Sequence, residues 1–283
     1  MGIAVNRKGE ALGAEVVGVD LNRIDDAGFA LVHRALLDHC VIAIRDQNLE
    51  PAAQVAFTRR LGEPDIHVAE QFLMPEHREI LMLSNRKRPD GSAIGFEEAG
   101  RYWHSDVSYG RRPVAVSLLY AVEIPPEGGD TMFVNMYRAY ETLPEATRQR
   151  IAGLTAYHSF IASLSGKTEA QANRVKLSAE AMRRLEEVPH PMVRTHPETG
   201  RKALYVNPGF TTRVAGLSED ESRGLLTELF KHSTRPEFIY RHQWRPHDVL
   251  MWDNRCTMHH ATTYDTRYIR HMHRTTVKGD VPH

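Results

Sequence analysis

Residues 249–260 read Val249-Leu250-Met251-Trp252-Asp253-Asn254-Arg255-Cys256-Thr257-Met258-His259-His260. The apolar run at the start predicts a buried strand, and Asp253-Asn254 is typical of a turn that ends it. One of the two adjacent histidines can therefore face inward from the next strand. Because side chains alternate along a strand, only one of His259 and His260 can do so, and the residues alone leave both open.

The rest of the chain continues this rhythm of short strands, with helices added. Strands are predicted over residues 14–19, 40–45, 117–124, 131–135, 191–195 and 202–206, the last two pairing across a turn. Helices are predicted over residues 25–38, 51–61, 137–154 with a break at Pro144, and 218–232. This pattern indicates a mainly β fold with added α, a β-barrel or jelly-roll with flanking helices, in a single domain over residues 1–283.

Composition limits the classes of partner. The chain has 36 basic and 36 acidic side chains, so no overall positive field attracts nucleic acid or an anionic membrane. No apolar run is long enough to span a bilayer, and no signal peptide is evident. Cys40 and Cys256 lie far apart in apolar surroundings, as reduced core residues do. We therefore expect a cytoplasmic protein.

The segment Trp103-His104-Ser105-Asp106 contains the first candidate metal ligands. If the segment is a strand, His104 and Asp106 share one face. An imidazole and a carboxylate, joined by a distant histidine, form the two-histidine-one-carboxylate triad of non-haem Fe(II) oxygenases. A hydrogen-bonded His-Asp pair is the plainer alternative, so the segment alone does not decide.

The final strand is predicted over residues 270–277. Its alternation places Arg270, Met272 and Arg274 on one face and the two intervening histidines on the other. Inward guanidinium groups are costly unless each meets an anion, so a core-facing position implies buried anionic ligands. An exposed face would leave the arginines merely solvated.

Over nearly its whole length the chain resembles the Fe(II)- and 2-oxoglutarate-dependent family that contains taurine dioxygenase and chlorophenoxyacetate dioxygenase. Widely separated motifs in one order support the resemblance. They are residues 12–21 (LGAEVVGVDL), 103–106 (WHSD), 128–131 (GGDT), 205–213 (YVNPGFTTR), 252–255 (WDNR), and 272–274 (MHR) followed by Gly279-Asp280.

The resemblance implies a double-stranded β-helix, or jelly-roll, core and assigns a role to individual residues. It makes His104, Asp106 and His259 the iron ligands, and it prefers His259 because the family histidine stands two residues after a threonine, here Thr257. Thr131 and Arg270 would bind the distal carboxylate of 2-oxoglutarate.

The same resemblance assigns four residues to the primary substrate. Arg274 and His67 would hold its acidic group, Phe210 would form an aromatic wall, and Val107 would lie beside them. No catalytic side chain is implied beyond the metal centre.

Departures from taurine dioxygenase fall at the end of the pocket that reads the amine. Gly100 stands where that enzyme has an asparagine, Glu70 where it has a tyrosine, and Leu164 where it has a second aromatic residue. Taurine itself is therefore disfavoured as the substrate.

The implied reaction consumes 2-oxoglutarate and O2, releases succinate and CO2, and hydroxylates a small anionic substrate of the sulfonate, sulfate ester, phosphonate or aryloxyalkanoate type. Two alternatives remain: a zinc-dependent hydrolase, which would have no use for an inward Arg270 and Thr131, and a non-catalytic anion-binding jelly-roll. A homo-oligomer is compatible with the sequence. The polar residues 159–181 fit a lid insertion and an ordinary surface excursion equally well.

Overall fold

A computed structural model describes residues 2–97, 100–161 and 186–283 of the chain. Its largest element is an eight-stranded sheet, called here the main sheet, in the order β1-β2-β3-β14-β6-β16-β5-β4. These strands are β1 (Ala4–Arg7), β2 (Ala14–Val17), β3 (Val41–Ile44), β4 (Leu73–Met74), β5 (His77–Ser84), β6 (Val114–Glu123), β14 (Val249–Asp253) and β16 (His271–Lys278). Strands β2 and β3 pair in parallel, and the other neighbours pair antiparallel.

Smaller sheets complete the β structure. The inner sheet, in the order β13-β7-β15, contains β7 (Thr131–Asn135), β13 (Ile239–His242) and β15 (Thr257–Ala261). Another three-stranded sheet contains β8 (Thr155–His158), β9 (Val188–Pro191) and β12 (Thr211–Val214). Strands β10 (Val193–Thr195) and β11 (Lys202–Leu204) form a hairpin, as predicted from the turn between them.

Helices flank the sheets, and their ends follow the capping signals in the sequence. They are α1 (Asp26–His39), α2 (Pro51–Leu61), α3 (Met136–Glu141), α4 (Glu145–Ile151) and α5 (Glu219–Ser233). Asp25 accepts a hydrogen bond from the first turn of α1, and Pro51 occupies the first turn of α2. Ser218 and Glu221 form the predicted capping box of α5. The break at Pro144 separates α3 from α4.

Apolar side chains cover both faces of the main sheet. On the inner face, Trp252 of β14 packs against Phe133 of the inner sheet with ring centroids 5.5 Å apart. On the outer face, Met251 belongs to a second core with Leu36 of α1 and Phe57 of α2. Alternation along each strand therefore sends its side chains into two separate cores, and the candidate site lies on the inner side.

Two predictions concerning local structure need comment. Residues 103–106 do not form a strand: His104 makes an isolated bridge with His259, and Asp106 begins a turn. The segment bonds to β15 through His104, and the Ser108 amide then donates to the Ser105 carbonyl at 3.3 Å, which forms a turn where the strand was predicted to continue. Most of the segment 159–181 lies outside the described residues. Within the described part of the chain, no helix is long and apolar enough to cross a membrane.

Candidate metal centre and substrate pocket

Two histidines meet through paired backbone hydrogen bonds. The His104 amide donates to the His259 carbonyl at 3.0 Å, and the His259 amide donates to the His104 carbonyl at 2.7 Å. This bridge fixes the register between the loop and β15, so the two imidazole rings lie with centroids 4.1 Å apart. Residues 155 positions apart in sequence thus share one inward-facing point.

Asp106 completes a buried cluster with these rings. Its Oδ1 lies 3.8 Å from His104 Nε2, and its Oδ2 lies 3.9 Å from His259 Nε2. All three residues are buried, and one ligand atom from each falls within 4.8 Å of the others. The structure therefore brings together the three residues proposed as a triad, although the predicted strand that was to align two of them is absent.

The contacts of the cluster suit a divalent metal ion. His104 Nδ1 lies 2.8 Å from the Tyr102 carbonyl, which can only accept, so Nδ1 carries the proton and Nε2 directs a lone pair into the site. Ser117 Oγ donates to Asp106 Oδ2 at 2.7 Å and Arg274 Nη1 donates to Oδ1 at 2.8 Å. Oriented lone pairs and a held carboxylate are what a metal site requires of its ligands.

Electrostatics keep the three side chains in the protonation states that metal binding requires. Burial lowers the pKa of His104 and of His259, which leaves both rings neutral at pH 7. Burial alone would raise the pKa of Asp106, but the positive charge of Arg274, together with the hydrogen bond from Ser117, opposes it, and that pKa lies well below its ordinary value. The site therefore offers two neutral nitrogens and one anionic oxygen.

The two adjacent histidines of β15 face opposite ways. His260 is half-buried and lies against the Trp103 ring, with centroids 5.5 Å apart. His259 is buried between Trp252 and Phe133, at centroid distances of 4.9 and 5.8 Å. The choice left open by the sequence alone is thus settled by the register of β15 against the inner sheet.

Arg270 was predicted to begin the final strand, but β16 begins one residue later, at His271. Its Nη2 donates to the Gly129 carbonyl at 3.3 Å, while its buried Nε has no hydrogen-bond partner among the described residues. Burial lowers the pKa of Arg270 to about 10. A shielded cation with an unused donor is a good receptor for a carboxylate.

Thr131 lies two residues beyond Gly129, at the start of β7. Trp244 Nε1 donates to Thr131 Oγ1 at 3.1 Å, so the threonine O–H is left to donate elsewhere. Tyr264 borders the same region, with the Arg270 guanidinium 6.0 Å from its ring centroid. Arg270 and Thr131 are linked through the loop that precedes β7, since Arg270 contacts Gly129 in that loop.

His67, which was predicted to bind the substrate, lies near Arg274 and Asp106. The Ala69 amide donates to His67 Nδ1 at 3.1 Å, so the neutral ring carries its proton on Nε2. Burial, followed by the nearby charge of Arg274, lowers the pKa of His67 to about 3. His67 is therefore a neutral hydrogen-bond donor beside a cation.

An aromatic group, called here the aromatic wall, closes the other side. It consists of Tyr102, Tyr109, Phe160 and Phe210, with Val107 packed against it. Phe210 meets the His104 ring edge-on at a centroid distance of 5.8 Å, which places it beside the buried cluster. Val107 has φ of 55°, a conformation that a β-branched residue rarely adopts and that marks this turn as constrained.

The departures from taurine dioxygenase have local explanations. Gly100 has φ of +75°, and a Cβ there would lie 2.8 Å from His104 Cε1, so a side chain would push against a ligand ring. Glu70 is largely exposed and pairs with Arg78 at 2.8 Å. Leu164 lies outside the described residues.

A second buried cluster, formed by His196, Asp253 and Cys256, has a structural role. His196 Nδ1 accepts the amides of Glu198 and Thr199, so Nε2 carries the proton and donates to Asp253 Oδ2 at 2.9 Å. Arg255 binds both oxygens of the same carboxylate, at 2.9 and 2.6 Å. No nitrogen lone pair is left for a metal, and every oxygen is occupied.

Sequence reasoning missed several supporting residues. Ser117 of β6 holds Asp106, and Asn254 accepts the Asp106 amide at 3.1 Å while donating to Ser117 at 2.9 Å. Tyr102 and Tyr109 were not assigned to the pocket, although they flank the His104 segment. Their proximity in sequence to His104 and Asp106 was the available signal.

Comparison with known proteins agrees with this geometry. Residues 5–276 match the family model described as "Taurine catabolism dioxygenase TauD, TfdA family". The chain is 33% identical over 295 residues to the alpha-ketoglutarate-dependent 2,4-dichlorophenoxyacetate dioxygenase of Cupriavidus pinatubonensis, covering 99% of each protein.

Two solved structures give the same result in three dimensions. A taurine dioxygenase from Burkholderia xenovorans has 36% identity and a TM-score of 0.83, with 100% of this chain and 91% of that chain covered. The structure of AAD-2 in complex with Mn(II) and N-oxalylglycine has 31% identity and a TM-score of 0.81, with 100% and 99% covered. These matches support neither a zinc hydrolase nor a non-catalytic jelly-roll. The chain belongs to the TauD/TfdA family and is a 2-oxoglutarate-dependent dioxygenase that uses Fe(II), 2-oxoglutarate and O2.

Proposed function

We propose that His104, Asp106 and His259 hold the Fe(II) ion of this dioxygenase. The observation that carries the proposal is the convergence of two neutral imidazoles and one ionised carboxylate on a single buried point. A facial triad leaves the other side of the metal open for the cosubstrate and for dioxygen. The bound iron would supply the oxidising chemistry, and the protein would supply position.

We further propose that Arg270 and Thr131 bind the distal carboxylate of 2-oxoglutarate. The unused Arg270 Nε, just before β16, and the O–H of Thr131, at the start of β7, are both hydrogen-bond donors. A carboxylate between them would compensate the charge that burial destabilises on Arg270.

The primary substrate is proposed to be a small organic anion with an apolar body. Arg274 and the Nε2–H of His67 would bind its acidic group, and Val107 would lie beside it. Phe210 and the rest of the aromatic wall favour an aryl or alkyl body over a second charged group. The relatives named after 2,4-dichlorophenoxyacetate and taurine agree with an acidic substrate. The aromatic wall fits an aryloxy acid better than it fits taurine.

In this assignment each side chain has a definite task. Arg274 and His67 orient the substrate so that one of its carbons faces the metal, and the aromatic wall keeps water away from that carbon. Ser117 keeps the Asp106 carboxylate in place during turnover. Sulfonate, sulfate ester, phosphonate and aryloxyalkanoate groups all present the required anion.

The main sheet and the inner sheet are proposed to be the two sheets of a double-stranded β-helix, within a single dioxygenase domain over residues 1–283. Cysteines without a disulfide and a need for ferrous iron support a cytoplasmic location.

The test measures succinate released from 2-oxoglutarate by Fe(II)-loaded protein in the presence of compounds from the four anionic classes. We expect at least one class to stimulate succinate release and to yield a hydroxylated product. Asp106→Ala should abolish the stimulation, while His260→Ala, a change outside the site, should preserve it. Stimulation by neutral analogues as strong as by the anions would contradict the proposed role of Arg274 and His67.

A further inference from the structure

A pair of histidines lies on the opposite face of β16 from the arginines. His271 and His273 are two positions apart and therefore point the same way, into the outer layer of the main sheet. Their Nε2 atoms are 3.1 Å apart, and the residues are 7% and 8% exposed. Nothing in the proposed reaction uses either ring.

The rings are not arranged as a straight hydrogen bond. A ring nitrogen lies about 1.1 Å from its centroid, so two rings in line with such a bond would have centroids about 5.3 Å apart. The observed centroid separation is 4.9 Å, with the ring planes at 88°. At least one ring is therefore tilted away from the line that joins the two nitrogens, and these separations allow both nitrogens to meet at one position beside that line.

That position has the dimensions of a metal site. An ion bound at 2.0–2.1 Å to both nitrogens would subtend an angle of about 98° and would place the centroids about 4.8 Å apart. The observed separations of 3.1 Å and 4.9 Å fit this arrangement. The angle lies between the octahedral and tetrahedral values, both of which are common for divalent ions bound by imidazole.

The protonation state of the pair favours a metal. Burial lowers the pKa of His273 to about 4 and also lowers the pKa of His271, so both rings are neutral at pH 7. Neither Nδ1 has a hydrogen-bond partner among the described residues, so no contact obliges either Nε2 to carry the proton. Both nitrogens can therefore present lone pairs to the same ion.

Glu123 can supply a third ligand only after its side chain turns, because its carboxylate does not lie within 4.8 Å of both imidazole nitrogens in the structure. It lies directly opposite His271 on β6, which places the two side chains on the same face of the sheet. Its carboxylate pairs with Arg86, and both side chains are more than 40% exposed. Such an exposed pair contributes little stability, so the carboxylate can turn toward an ion beside His271 at small cost.

We propose that His271 and His273 form a second metal site, which binds a divalent ion such as Zn²⁺ or Cu²⁺ and is separated from the iron centre by the main sheet. Solvent molecules and Glu123 complete its coordination. Imidazole nitrogens with an oxygen ligand select ions of this type over Mg²⁺ and Ca²⁺.

The test is a Zn²⁺ titration of metal-free protein by equilibrium dialysis, with His271→Val as the variant and His260→Ala as the matched control. Valine fits a strand and cannot bind a metal. We expect His271→Val to bind one equivalent fewer than wild type and His260→Ala to bind as many as wild type. Equal binding by wild type and His271→Val would overturn the proposal.

A second measurement is independent of the iron centre and of how well the valine variant folds. In His104→Ala protein, one bound Cu²⁺ should give an electron paramagnetic resonance spectrum with nitrogen hyperfine structure from two imidazoles. Adding His273→Gln to that background should remove one nitrogen and weaken binding at least tenfold. A Cu²⁺ spectrum unaltered by His273→Gln would show that the pair does not bind the ion.

Discussion

Replacing Arg270 with methionine distinguishes two effects of the buried guanidinium, namely its destabilisation of the unliganded protein and its proposed contribution to 2-oxoglutarate binding. Burial lowers the pKa of this residue from 12.5 to about 10. Each pKa unit corresponds to about 1.4 kcal/mol, so the charged form is destabilised by at most about 3 kcal/mol. Within the described residues, its guanidinium donates to the Gly129 carbonyl at 3.3 Å, and its Nε has no acceptor. The charged side chain therefore destabilises the folded protein when no anion is bound.

Methionine keeps the length and apolar stem of the arginine while it removes the charge. We expect the affinity for 2-oxoglutarate to fall by about 2–5 kcal/mol, or about 30-fold to 4,000-fold in Kd, because a charge-assisted contact is lost. The metal-free, unliganded protein should in contrast become more stable, by up to about 3 kcal/mol. A substitution that weakens ligand binding but stabilises the unliganded protein indicates that the original residue contributes to binding and not to folding.

Two assays measure these effects. The visible absorption of the anaerobic Fe(II) complex reports 2-oxoglutarate binding, and urea denaturation of metal-free protein reports the free energy of unfolding. Arg267→Met is the control, since Arg267 is exposed and pairs locally with Asp265, and it should change neither quantity. Retention of wild-type 2-oxoglutarate affinity by Arg270→Met would refute the assignment, and a loss of unliganded stability would refute the argument from burial.

Three further predictions concern the centre and its surroundings. His259→Ala should remove Fe(II) binding and His260→Ala should not, as measured by dialysis; the reverse result would mean that the register was assigned one residue out. Arg274→Ala should spare 2-oxoglutarate binding and raise the KM of the active substrate, whereas a loss of cosubstrate affinity as large as that of Arg270→Met would show that both arginines bind one anion. Burial lowers the pKa of His158 from 6.5 to about 3. Between these pH values the unfolded chain binds a proton at His158 that the folded protein does not bind, so the free energy of unfolding decreases as the pH falls below 6.5, by about 2 kcal/mol at pH 5. Urea denaturation should show a weaker pH dependence of stability for His158→Gln than for wild type.

The elements predicted best were those whose signals are local. Helix α2 has the predicted bounds, because Pro51 favours the first turn and Gly62 follows the last residue. The strand and turn around Asp253-Asn254 were also correct, since an apolar run followed by turn residues admits few alternatives. The alternation along β16 put Met272 and Arg274 on one face but left open whether that face is buried, and the structure places Met272 in the inner core.

What the residues alone could not supply was long-range pairing. The segment at His104 is a loop whose geometry depends on a bridge to β15, so no local pattern identifies it. Arg274 was predicted to meet an anion, but that its first partner is Asp106 follows from sheet register. The role of Ser117 depends likewise on the pairing of β6 with its neighbours.

The register of β16 explains why one strand serves two different sites. Side chains at even positions, including Arg274, face the inner core and the iron centre, while His271 and His273 face the outer layer. A slip of one residue against β6 would exchange the two sets, placing imidazoles beside Asp106 and guanidinium groups under helix α2. Both misplaced sets would be costly: Asp106 would lose its ion pair, and an arginine would be buried without an anion. The same alternation that keeps Met272 in the core therefore also fixes the chemistry on each side of the sheet.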